Sequence, residues 1–163
     1  ATTSSLPRPA AARVALTRRP PDHGTADRRA APDYVAKLPA SNGKVAVAGF
    51  CWGGGQAFRF ATNRPGLAAA FVFYGPAPEE RAALGRIDCP VYGFYGENDA
   101  RINAGIEKTR TAMKELGKTY EPVLYSGAGH GFMRSGEGPD AREGDRKARQ
   151  EAWTRWKALL QKL

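Results

Sequence analysis

The sequence predicts an α/β fold, a three-layer α/β/α sandwich around a mostly parallel sheet. Two observations carry that expectation. Four short apolar runs, residues 44–50 (KVAVAGF), 68–74 (AAAFVFY), 91–95 (VYGFY) and 120–125 (YEPVLY), alternate with segments of helical period. Such alternation implies parallel strands with helices on both faces. The chain of 163 residues, 42% of them apolar, is also long enough for one domain with a real core.

Taken in order, residues 1–32 hold Pro7, Pro9, Pro20, Pro21 and Pro32, with no lysine, no aromatic residue and no apolar period. They read as a disordered or non-native leader, and His23 within it carries no expected role. The folded domain is expected over residues 33–163. Tyr34, Val35 and Leu38 fall at helical spacing before the turn residues Pro39, Asn42 and Gly43. After the first strand a helix over 52–63 should pack Ala57, Phe60 and Ala61 inward, closed by Arg64-Pro65-Gly66. Residues 76–84 read as a loop with a short helix. Residues 103–116 carry Ile106, Thr109, Met113 and Leu116 on one helical face. A final helix over about 141–163 should bury Ala152, Trp153, Trp156, Leu159 and Leu160. No repeat of fixed period runs through the chain.

Charge and cysteine usage narrow the function classes. The formal charge is +9, but the first 32 residues contribute six arginines against two aspartates. Elsewhere bases alternate with acids, as in Glu107, Lys108, Arg110, Lys114 and Glu115, a pattern of solvated helix faces, so no nucleic-acid partner is expected. No window is apolar enough to span a bilayer, so no membrane partner is expected either. Cys51 and Cys89 are too few for a disulfide scaffold, and a reducing, cytoplasmic location is the default. Cys89, beside Pro90 at a strand start, reads as a packing residue. No metal-ligand spacing and no cofactor motif is evident.

The chemistry concentrates at three loops. Gly49-Phe50-Cys51-Trp52-Gly53 has the form G-x-nucleophile-x-G at a strand-to-helix junction. Glycines there make room for a sharp reversal, and the N-terminus of the following helix should favour a Cys51 thiolate and aim N–H groups at an oxyanion. The other reading is a buried structural cysteine beside a phosphate loop, although no GxGxxG or GxxxxGK[ST] is present. Asp99, in the loop after the third strand, is a candidate triad acid, or equally a turn residue or helix cap. Glu97 nearby reads as a solvated loop residue. His130, in the glycine-rich loop after the fourth strand, completes the chain order nucleophile, acid, histidine.

On these residues the chain resembles the dienelactone hydrolase family. AGFCWGGGQAF is similar to that family's nucleophile elbow, FYGENDARI to its acid loop and YSGAGHGFMR to its histidine loop. The intervals of 48 residues from Cys51 to Asp99 and 31 from Asp99 to His130 match as well. The resemblance implies Cys51 as nucleophile, His130 as base and Asp99 as acid, with the Trp52 N–H in the oxyanion hole. Small-molecule lactones or activated esters would then be cleaved through a cysteine acyl-enzyme. Arg134 matches the family arginine that pairs with a substrate carboxylate, its alternative being a plain surface charge.

The resemblance starts near Asp33 and implies a partial α/β-hydrolase fold lacking the N-terminal strands. Those strands supply, in the family, a second oxyanion N–H, a glutamate near the thiol and another substrate arginine. Loss of one oxyanion donor can cost ~10² to 10³ in rate, so impaired catalysis is one expectation. The change of texture at Asp33 suggests a fragment or a shifted-frame product. Residues 44–50 would expose a sheet edge, which a homodimer could cover. The alternative function is a non-catalytic partial domain that self-associates or binds a partner through that edge.

Overall fold

The structure is a computed structural model and describes residues 32–163. The leader expected over residues 1–32, His23 included, lies outside the described residues except for Pro32. Residues 32–36 form a helical turn with Tyr34 and Val35 exposed.

Four strands follow: β1 (Ala46–Phe50), β2 (Ala69–Phe73), β3 (Val91–Gly96) and β4 (Tyr120–Tyr125). They pair in sequence order and all in parallel, in registers running from Ala46↔Ala69, Ala70↔Val91 and Val91↔Tyr120. The expected parallel sheet is therefore present, with β1 at one edge of the four described strands. Parallel pairing brings every strand's C-terminal end to the same side of the sheet, and that is where Cys51, Asp99 and His130 follow their strands.

Sequential strand order has a consequence for the layers. Crossovers of one hand place successive connecting helices on the same face. Here α1 (Trp52–Asn63), α2 (Arg81–Gly85), α3 (Ala100–Asn103) and α4 (Ile106–Glu115) contribute to one core, while α5 (Phe132–Ser135) and α6 (Glu143–Leu160) cover the other face. The pleat of β2 shows the division directly: Ala70 and Val72 enter the first core, and Ala69, Phe71 and Phe73 enter the second. Phe73 stacks on Phe94 at 4.2 Å and on Phe50 at 4.5 Å. All five β2 residues are buried, which explains why that segment reads as an unbroken apolar run.

The helices depart from expectation in three places. The helix expected over 103–116 is two: Asn103 ends α3 by donating to the Gly96 and Glu97 carbonyls, and Gly105 stands at the N-cap of α4. In α6 the buried stripe is Asp145, Ala148, Ala152 and Leu159. Trp153 and Leu160 sit one residue past that stripe, about 100° round the helix, and are 37% and 43% exposed rather than buried. The short helix α5 has no counterpart among the expected elements, because four residues carry no measurable period.

The glycines of the elbow divide into two kinds. A Cβ on Gly49 would stand 2.0 Å from the Gly53 carbonyl oxygen, and one on Gly54 2.5 Å from that of Phe73. A Cβ on Gly53 would meet no atom of the described residues within 4 Å, so the expectation that every flanking glycine avoids a collision holds at Gly49 and fails at Gly53. Thermal unfolding should therefore separate them. Gly49→Ala and Gly54→Ala each force backbone apart and should cost about 1–3 kcal/mol or more, whereas Gly53→Ala should be neutral or slightly stabilising through helix propensity.

Candidate active site

Cys51 joins β1 to α1 with φ 53° and ψ −123°, a conformation rare for a residue with a side chain. Three hydrogen bonds hold it there. Its N–H donates to the Phe73 carbonyl at 3.1 Å, and its own carbonyl accepts from the N–H groups of Gly54 and Gly55. One strand over, Tyr74 leaves β2 with φ 40° and donates its N–H to the Phe94 carbonyl. Trp52, the first residue of α1, is 54% exposed and lines the cavity in front of Cys51.

Asp99 stands at the N-cap of α3, yet its side chain makes no capping hydrogen bond. The carboxylate, buried at 7% exposure, reaches His130 instead, with Oδ2 2.5 Å from Nδ1. Asp99 thus holds the N-cap position through its backbone carbonyl, which accepts from the Ile102 and Asn103 N–H groups, while its side chain meets the histidine. The His130 ring lies edge-on to Tyr74 at 5.1 Å. Cys51, Tyr74 and His130 together line two neighbouring cavities, of about 340 Å³ and about 800 Å³.

The loop carrying His130 is gripped by two further carboxylates. Glu97 accepts the Ser126 hydroxyl at 3.0 Å and the Gly127 N–H at 2.9 Å, and these two hydrogen bonds hold its carboxyl below the ordinary range. Glu97 is exposed, as the sequence reading had it, and it also ties the acid loop to the histidine loop. Asp145, at 1% exposure, accepts the Gly129 N–H at 2.8 Å and both the Nε and an Nη of Arg142. Burial alone would raise its pKa, but the Gly129 N–H and Arg142 outweigh it and lower it. An aspartate in the first turn of a charged helix gives no sequence signal of such a task.

The sulfur does not show the thiolate bias expected of a helix N-terminus. Desolvation, and after it the negative charge of Asp99, push the Cys51 thiol above its ordinary value. The Tyr74 hydroxyl is pushed up as well, by burial first and then by Cys51. Cys89 is buried, and burial foremost raises its thiol to about 11, as suits a packing residue. Arg134 is exposed on α5 and lines the larger cavity with Cys51 and His130. Its guanidinium has no ion pair or hydrogen bond among the described residues, whereas the neighbouring Arg149 holds Glu137 and the Met133 carbonyl. No cluster of three or more His, Cys, Asp or Glu among the described residues could hold a metal ion. No described helix is long and apolar enough to cross a membrane.

Comparison with known proteins bears on this arrangement. The profile described as the dienelactone hydrolase family matches residues 4–163, beginning ahead of Asp33, where the motifs first resemble it. A Saccharolobus solfataricus protein assigned as a carboxymethylenebutenolidase is 35% identical over 120 residues, covering 74% of this chain and 45% of that protein. The carboxymethylenebutenolidase of Pseudomonas sp. strain P51 is 34% identical over 116 residues, covering 70% of this chain and 48% of its own. The chain thus spans about half the length of these curated relatives. Among solved structures, a Klebsiella pneumoniae protein assigned as a dienelactone hydrolase superposes with a TM-score of 0.77 at 25% identity, over 91% of this chain and 64% of that one.

Two outcomes follow from the electrostatics. The rate of Cys51 alkylation against pH should reach its midpoint above the roughly 8.5 of a free thiol, and Asp99→Asn should move that midpoint down, because removing a nearby anion favours the thiolate. Asp145→Ala should cost about 1–3 kcal/mol by leaving the Gly129 N–H unpaired. Since the Asp145 pKa is depressed on folding, its share of stability is present at neutral pH and is lost as pH falls through the carboxylate range, so urea melts of the two proteins should converge in acid.

Proposed function

This chain belongs to the dienelactone hydrolase family, and from that premise we propose that it hydrolyses lactone or activated ester bonds through an acyl-enzyme on Cys51. The observation that supports this most is the contact between the buried Asp99 carboxylate and His130 Nδ1, on the rim of the same cavity that the strained Cys51 lines. Nδ1–H donated to Asp99 leaves Nε2 as the basic nitrogen of a ring that lines the cavity.

The raised thiol pKa sets the order of events. Cys51 rests as a protonated thiol, so proton transfer to His130 accompanies attack rather than preceding it. Asp99, held against Nδ1, stabilises the imidazolium that forms. Sulfur bonds to the substrate carbonyl carbon, and the resulting oxyanion is stabilised at the N-terminus of α1, with the N–H of Trp52, the first residue of that helix, read as a donor. Collapse of the tetrahedral adduct expels the alkoxide, which takes the proton from His130 and leaves a thioester. Water then attacks the thioester, giving one proton to His130; collapse expels the Cys51 thiolate, which takes that proton back, and the carboxylic acid departs and ionises in solvent. Arg134, without an acidic partner among the described residues, stands where it can pair with a substrate carboxylate in the larger cavity.

Turnover of an activated aryl ester tests the reading. Cys51→Ala and His130→Ala should each lower kcat/KM by about 10³-fold or more, because members of one catalytic unit fail together. Equal rates for both variants and the unaltered chain would remove the proposal.

A further inference from the structure

The smaller cavity in front of Cys51 has cationic walls that the mechanism leaves without a task. Arg59 lies two turns along α1 from Cys51 and is half-buried, and Arg101 lies in α3, two residues after Asp99. Both border this cavity of about 340 Å³ together with Cys51, Tyr74 and His130. Neither guanidinium has an ion pair or a hydrogen bond among the described residues. Arg64, Arg81, Arg142 and Arg149, by contrast, each hold a carboxylate. Among the described residues, no acidic one lines the cavity. Glu79 and Glu80 border an adjoining hollow that Arg59 also touches, and Glu79, Glu107 and Glu115 one that Arg101 touches, without pairing to either arginine. Glu107 and Glu115 pair with Arg110 and Arg81.

Two guanidinium groups bordering one concavity with no partner among the described residues, Arg101 exposed and Arg59 half-buried, raise its positive potential, and the partial burial of Arg59 adds a desolvation cost. An anion with two oxygens offsets both, because a guanidinium fork donates two parallel N–H bonds to it. The walls contributed by Pro76, Ala77 and Ile102 exclude part of the water that would weaken such a pair. Arg134 lies in the other cavity, which meets this one at Cys51, Tyr74 and His130.

We propose that Arg59 and Arg101 form a second anion subsite, so that the preferred substrate carries a carboxylate or phosphate on the side of its scissile bond away from Arg134. This substrate class rests on the hydrolase reading above, and the experiment separates the two. Cys51 is alkylated with bromoacetyl-β-alanine, with bromoacetyl-phosphoethanolamine and with neutral bromoacetyl-β-alaninamide. In each case sulfur bonds to the methylene carbon and bromide leaves. In parallel, kcat/KM is measured for aryl esters of a neutral acyl chain and of one ending in a carboxylate or a phosphate.

The Arg59→Gln/Arg101→Gln double variant should lower the anionic-to-neutral alkylation ratio about tenfold or more. It should also reduce kcat/KM for an anionic ester about 10- to 100-fold more than for the neutral one, through KM rather than kcat, as expected for lost charged hydrogen bonds. The anion that responds, carboxylate or phosphate, identifies the ligand. An alkylation ratio that does not move for either anion overturns the subsite even if esters are hydrolysed. A ratio that falls in a chain that cleaves no ester retains the subsite and removes the hydrolase reading.

Discussion

Backbone laid against backbone at the turn after β1 is the constraint on which everything else rests. Gly49 faces the Gly53 carbonyl and Gly54 faces that of Phe73, at separations no Cβ could enter. A Cβ on Gly75 would likewise stand 2.2 Å from the Gly55 nitrogen. Strand β2 and helix α1 can therefore close on each other, and the residue caught at the bend, Cys51, has no relaxed conformation available. Its strain is held by ordinary hydrogen bonds on both sides, from its N–H to β2 and from the first turn of α1 to its carbonyl. What results is a sulfur lifted above the C-terminal edge of the sheet.

Three carboxylates then bring the histidine to that edge, each by a different route. Asp99 holds the ring itself, Glu97 holds Ser126 and Gly127 at the start of the loop, and Asp145 reaches across from α6 to Gly129. The Asn98 N–H adds a bond to the Ala128 carbonyl. A glycine-rich loop has high conformational entropy to lose, and this lattice of charge-assisted bonds at adjacent residues opposes that loss. The helix carrying Asp145 also covers the second core, so loop order and core packing are coupled through α6.

Electrostatics around the sulfur point away from a permanently charged nucleophile. A carboxylate close enough to orient His130 also disfavours a thiolate at Cys51, and partial enclosure acts in the same direction. On the proposed hydrolase reading, activation comes from the imidazole at the moment of attack. On that same reading, the arginines bordering the two cavities meet an anionic substrate without a standing negative charge on the sulfur to compete for them.

The sequence by itself determined the order of the four parallel strands and the sharp elbow, and it marked three candidate residues at strand C-termini, because each of these is written locally. Apolar runs mark buried strands, glycines mark a reversal, and Tyr120–Tyr125 has the boundaries read from the chain. The bounds of β1 and of the last helix shifted by a few residues, as element ends do when tertiary contacts compete with propensity. What only the tertiary structure decided is pairwise and long-range. Whether the Asp99 side chain capped a helix or met a histidine 31 residues away, whether Glu97 reached a loop 30 residues on, and which face of α6 turned inward were open until the layers packed. Those choices depend on distances across the fold, and a period read along one segment holds no information about the segment it will touch.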